Sequence, residues 1–118
     1  MRGLSLIVAV LDSHEVVRRQ LLHLGRVLTT QCELILVDDG SVPSLESICA
    51  EVGPSFEFTL LLTRDYRPWT QPRARNLAAA TARADRLLFF DIDHIVTRDV
   101  IDCALAYSGV LPTNNLAA

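Results

Sequence analysis

The chain has 118 residues, of which 50% are hydrophobic and 21% charged, and its formal net charge is −3. This composition fits one globular domain with a modest core and excludes a disordered, collagenous or coiled-coil chain. All eleven cations are arginine and acidic residues outnumber them, so there is no basic surplus to neutralise a nucleic-acid backbone.

Leu4–Leu11 (LSLIVAVL) is a continuous apolar run. It falls well short of the roughly 18 apolar residues of a membrane-spanning helix. Arg2 precedes it as in a signal peptide, but Asp12 ends the run and no small-residue cleavage site follows, so it is expected to be a strand covered on both faces. Asp12 or Ser13 is expected to cap a helix over residues 14–28, whose apolar positions Val17, Leu21, Leu24 and Leu28 fall on one face. Glu33–Val37 (ELILV) reads as a second buried strand, ending in the turn residues Asp38-Asp39-Gly40-Ser41. Pro43 and Ser44 then open a short helix to Val52, closed by Gly53-Pro54. Phe56–Leu62 is a third strand, followed by a polar loop with Tyr66, Pro68, Trp69 and Pro72. An alanine-rich helix over 73–84, a fourth strand over 86–90 (RLLFF) and a helix over 99–107 complete the pattern.

Strand and helix alternate throughout, which predicts an α/β fold, a Rossmann-like three-layer sandwich with a mostly parallel sheet, over residues 1–107. Residues 108–118 carry no periodicity and are expected to form an irregular tail. Cys32, Cys49 and Cys103 are widely spaced and form no CxxC pair, as expected for reduced core thiols of a cytoplasmic protein.

Ligands of such sheets sit beyond the carboxyl ends of the strands, and the acidic residues lie there. Asp12 follows the first strand, Asp38 and Asp39 the second, Asp91 and Asp93 the fourth. If the strand persists, Asp91 and Asp93 point to one side. Two carboxylates so placed suit a hard divalent cation that also bridges to diphosphate oxygens, although a bare DxD also suits a solvated turn. The Asp38-Asp39 pair can accept hydrogen bonds from a base or ribose, and Gly40 permits a tight turn against a ligand. Arg73, Arg75 and Asn76 lie at an expected helix start, where two cations oppose the helix dipole and so favour an anion. His94 offers a further metal ligand or phosphate donor. His14 and His23 are expected to be structural or solvated, and Tyr66 and Trp69 to pack as a lid or to stack on a base.

Taken together, VDDGS, then ARN, then a hydrophobic strand running into DID resembles the nucleotide-binding half of family 2 glycosyltransferases of the GT-A fold, over about Leu4 to Asp102. The resemblance implies a nucleotide-sugar donor, most often a UDP-sugar, bound with Mn²⁺ or Mg²⁺ for transfer of a sugar to an acceptor hydroxyl on a saccharide or lipid. It implies that Asp38 and Asp39 bind base and ribose. Asp12 stands where the family commonly has Asn, and Arg75 and Asn76 lie near the nucleotide. The resemblance further implies that Asp91 contacts the ribose and that Asp91 and Asp93 hold the metal. The chain departs from the family in Ala9 and Leu11 around the first strand end, in Leu77-Ala78 after Asn76, and in His94 directly after the DxD.

The chain ends about two dozen residues after Asp93, and no acidic residue follows Asp102 to act as catalytic base. No catalytic residue is therefore assigned, and the sheet edge beyond the fourth strand is expected to lack cover. A fragment of a longer enzyme, a nucleotide-binding module that works with a partner, and a homo-oligomer each fit that truncation. Phe90–Val96 also loosely resembles the nucleophile motif of haloacid-dehalogenase phosphatases, but it lies late in the chain with Ile95 two residues after the second Asp.

Overall fold

A computed structural model describes residues 3–63 and 71–107 of the chain. The loop aromatics Tyr66 and Trp69 and the tail 108–118 lie outside the described residues. The elements follow the alternation expected from the sequence. They are β1 (Leu4–Val10), α1 (His14–Val27), β2 (Cys32–Asp38), α2 (Glu46–Val52), β3 (Glu57–Leu62), α3 (Gln71–Thr81), β4 (Arg86–Phe89) and α4 (Arg98–Ala106).

The four strands form one sheet in the order β3-β2-β1-β4, and every pairing is parallel. Parallel pairing needs a crossover between strands, which the helices supply. Side chains alternate across the sheet, so the central strands β1 and β2 feed two cores. Leu4, Leu6, Val8, Leu34, Leu36 and Leu88 face one way and pack with Val17, Leu21 and Leu24 of α1, Ile48 and Cys49 of α2 and Ile101 of α4. Ile7, Ile35 and Val37 face the other way, against Ala74 and Ala78 of α3. The small alanines let α3 lie close to the sheet. This double covering explains why β1 and β2 read as unbroken apolar runs. Each fully buried Leu or Ile contributes about 1.5–3 kcal/mol.

Several boundaries differ from expectation. Ser13 occupies the cap position of α1 but has φ 55° and makes no side-chain cap bond. Asp12 is also left-handed, at φ 58°. The chain therefore turns sharply off β1 before the helix begins. Helix α2 starts at Glu46, not at Pro43, and Gly53 closes it in the left-handed conformation. Helix α3 begins at Gln71 rather than Arg73, because proline is tolerated in a first helical turn. Thr97 caps α4 by accepting a hydrogen bond from the Val100 amide at 3.3 Å.

A polar row crosses the α3 face at the amino ends of the strands. Ser5 lies opposite Glu33, and Glu33 lies opposite Glu57. The buried Glu33 carboxylate accepts from the Ser5 hydroxyl, from the Arg83 amide at 2.8 Å and from Arg83 Nε at 3.4 Å. Burial pushes this carboxyl up, but the Ser5 and Arg83 hydrogen bonds and the Arg83 charge outweigh it and hold it below the usual Glu value. The row fastens the end of α3 to the sheet.

The cysteines divide. Cys32 and Cys49 are buried free thiols and Cys103 is an exposed one, which corrects the expectation that all three are core residues. Burial, with the Asp38 carboxylate adding to it, pushes the Cys49 thiol up to about 11. Among the described residues no helix is long and apolar enough to cross a membrane.

Candidate functional site

The strand order fixes where a ligand fits. The chain runs from β1 outward through β2 to β3, then returns to place β4 on the other side of β1. The direction of winding reverses between β1 and β4, and open α/β sheets bind ligands in the crevice at such a point, beyond the carboxyl ends of the strands. The ends of β2 and β4 flank β1 and lie about 10 Å apart, from a strand spacing of about 4.8 Å.

At the end of β2, Asp38 turns inward. It is only 2% exposed. One carboxylate oxygen accepts from the Ser41 amide at 2.8 Å, and the other from the Leu45 amide, also at 2.8 Å. Asp38 thus builds the loop that leads into α2. Asp39 follows Asp38 and is also largely buried, at 9% exposure. Its amide donates to Val10 O at 2.8 Å, and its carboxylate accepts from the Thr63 hydroxyl at 3.0 Å. Gly40, at φ 96°, makes the turn that follows them, a conformation that a side chain resists.

Asp12 locks the same loop from β1. Its amide donates to Ser41 Oγ at 2.6 Å, and its carboxylate accepts from the Val42 amide at 3.1 Å. His14 Nε2 donates to Pro43 O at 2.7 Å, because a carbonyl can only accept. These bonds hold Asp12 and Ser13 in their left-handed backbone. Sequence reasoning missed Ser41 as the partner of Asp12.

At the end of β4 the structure differs from the sequence expectation. The strand stops at Phe89. Asp91-Ile92-Asp93-His94 is a β-turn, closed by the His94 amide donating to Asp91 O at 3.0 Å. The two aspartates therefore do not share a side through strand alternation. The turn still gathers them: ligand atoms of Asp91, Asp93 and His94 all lie within 4.8 Å of one another, and all three residues are exposed. Two carboxylates and an imidazole at that separation can chelate one divalent cation.

Helix α3 reaches the same corner. Arg75 Nη2 lies 3.2 Å from Asp91 Oδ1. Because α3 begins at Gln71, Arg75 and Asn76 occupy its second turn, beyond the reach of the helix dipole. The draw of Arg75 for anions is then its own charge. Asn76 is exposed on the same helix.

Helix α1 props the DID turn from behind. Gln20 Nε2 donates to Ile92 O at 3.0 Å and to His94 O at 2.7 Å, and His23 Nε2 donates to Val96 O at 2.7 Å. Gln20 was not legible as a functional position, although a glutamine beside Val17, Leu21 and Leu24 on a buried helix face is a signal in itself. The expectation of a structural role for His14 and His23 agrees with these bonds.

Comparison with known proteins gives the same outline. No curated protein sequence matches the chain significantly. Crystal structures of S. aureus TarS superpose closely. The structure of TarS 1-349 has a TM-score of 0.77 at 22% identity, covering 88% of this chain and 31% of that one. TarS 1-349 in complex with UDP-GlcNAc gives 0.74 at 22% identity, with coverage of 88% and 30%. The complex with UDP gives 0.75 at 21% identity, with coverage of 88% and 31%. The chain thus spans about a third of those structures, and the likeness establishes the shared fold. The family model for glycosyl transferase family 2 matches residues 5–107, which takes in every strand and helix described above but the first residue of β1, and the chain belongs to that family.

Proposed function

We propose that this domain binds a nucleotide-diphosphate sugar, a UDP-sugar foremost, together with Mn²⁺ or Mg²⁺, and presents it for transfer of a hexosyl group to an acceptor hydroxyl on a saccharide or lipid. The observation that carries the reading is the meeting of Asp91, Asp93, His94 and Arg75 at the crevice between β1 and β4. The TarS structures with UDP-GlcNAc and UDP support it by likeness of fold.

The residues divide the donor between them. Asp39, just past the end of β2, accepts hydrogen bonds from the base or ribose. Asp38 and Asp12 hold the loop after β2 in shape. Arg75, with Asn76 beside it, faces the diphosphate. Asp91 and Asp93 hold the cation, with His94 adjacent, and Asp91 also lies toward the ribose. Hard carboxylate oxygens fit Mn²⁺ or Mg²⁺. When bound, the cation neutralises charge that develops on the departing diphosphate. The acceptor oxygen forms its bond to the anomeric carbon as the bond to the diphosphate breaks. This chain supplies donor binding and leaving-group stabilisation, and the reading assigns the acceptor's base to none of its residues.

Titration of UDP into the folded chain, with Mn²⁺ and with a chelator, tests the proposal. Binding in Mn²⁺ that is lost on chelation is expected. A folded chain that binds none of UDP, GDP or dTDP contradicts it.

A further inference from the structure

We infer that Gln20 and His23 of α1 are positioning residues for the metal-holding turn, so that helix α1, which offers no ligand of its own there, sets the affinity of the site. The inference rests on the donor-site reading. Its basis is the pattern of three hydrogen bonds that cross more than seventy residues of sequence and end on one loop.

The loop between Phe89 and Arg98 belongs to no strand or helix, so its carbonyls have no ladder to accept their hydrogen bonds. Buried carbonyls need partners. Both hydrogens of the Gln20 amide are used, one on Ile92 O at 3.0 Å and one on His94 O at 2.7 Å. These two carbonyls bracket Asp93. His23 takes the next alternate carbonyl, that of Val96. Because Val96 O can only accept, His23 carries its proton on Nε2.

The platform behind these donors is rigid. Gln20 is 7% exposed and lies among Val17, Leu21 and Leu24, which anchor α1 to the sheet. Ile92 and Val96 add apolar anchors on the loop side. The side chains of Asp91, Asp93 and His94 project from this braced backbone into solvent. A chelating set holds an ion tightly only when its backbone is fixed to within about 0.5 Å. Groups that orient metal ligands without touching the metal commonly change affinity by about 10–100-fold when removed.

The test compares Gln20→Met and His23→Leu with His23→Gln, which keeps an N–H donor. Two quantities are read: hydrogen exchange of the His94 amide, which reports the turn through its bond to Asp91 O, and the affinity for UDP in Mn²⁺. In Gln20→Met and His23→Leu the His94 amide is expected to exchange at least about tenfold faster, with β1 and β2 amides unchanged, and UDP–Mn²⁺ affinity to fall about tenfold. His23→Gln is expected to restore both. His23 is only partly buried, so His23→Leu carries the test should Gln20→Met fail to fold. Unchanged exchange, or faster exchange with unchanged affinity, overturns the inference. A wild-type chain that binds neither UDP nor Mn²⁺ overturns the donor-site reading instead, and the exchange data then show separately whether the brace exists.

Discussion

Arg75 Nη2 lies 3.2 Å from Asp91 Oδ1, so the arginine of the ARN motif on α3 meets the first carboxylate of the DID turn after β4. Both side chains are substantially exposed, and such a pair is worth little as a stabilising contact. In the proposed donor site its significance lies in placement, because a cation beside a carboxylate that holds a metal would repel the metal and attract the diphosphate.

Opposite effects on two ligands follow for Arg75→Ala. Mn²⁺ alone is expected to bind two- to three-fold more tightly, since a screened positive charge is removed (on the order of 0.5 kcal/mol). UDP in saturating Mn²⁺ is expected to bind about tenfold more weakly, through loss of a charge-assisted hydrogen bond. Calorimetry with each ligand checks this. Changes of the same sign for both ligands contradict the assignment of Arg75 to the diphosphate.

Asp38→Asn separates loop construction from ligand contact. The substituted amide offers one N–H toward an amide that already donates, from Ser41 or Leu45. Leaving such buried donors opposed costs about 1–3 kcal/mol. Urea unfolding is expected to show that loss in the absence of any ligand. An unchanged unfolding midpoint contradicts the role given to Asp38.

Glu33 makes stability depend on acid. Its carboxyl is held below the ordinary value of 4.5 in the folded chain. A group whose folded value is depressed stabilises fully above its unfolded value and loses that contribution as pH falls through the folded one. Stability from the Ser5–Glu33–Arg83 network is therefore complete at pH 7 and declines below about pH 4.5. Glu33→Gln is expected to lower stability at pH 7 and to flatten the decline below about pH 4.5. Denaturant unfolding across that range measures it. A variant with the same acid dependence as wild type contradicts the account.

The strands were legible where burial is symmetric. Leu34–Val37 is apolar at every position, and Leu4–Val10 at every position but Ser5, because helices cover both faces. The end of β4 was harder to place. Phe90 continues the apolar run, packs in the core and still donates its amide to Ile7 O at 3.1 Å, yet the strand ends at Phe89 and Asp91–His94 turns, and hydropathy does not distinguish a strand residue from a core residue just past it. The start of α3 was set too late because Gln71-Pro72 reads as loop, although proline costs little in a first turn. The positions of Asp12, Asp39, Asp91 and Asp93 after the strands were legible from the alternation of elements. The inward turn of Asp38 was not, since it depends on two amides seated three and seven residues later. The Gln20 and His23 bonds were not legible either, because their partners are backbone carbonyls that any sequence provides.

The central claim is that the DID turn holds a divalent cation which binds the donor diphosphate. Calorimetric titration of UDP into wild type and Asp93→Ala, each with Mn²⁺ and with chelator, tests it most directly. Asp93 is exposed, so its loss should leave the unfolding temperature unchanged. The account predicts binding by wild type that requires Mn²⁺ and a loss of at least tenfold in the variant. Equal binding by the two proteins, or binding indifferent to chelation, would contradict it.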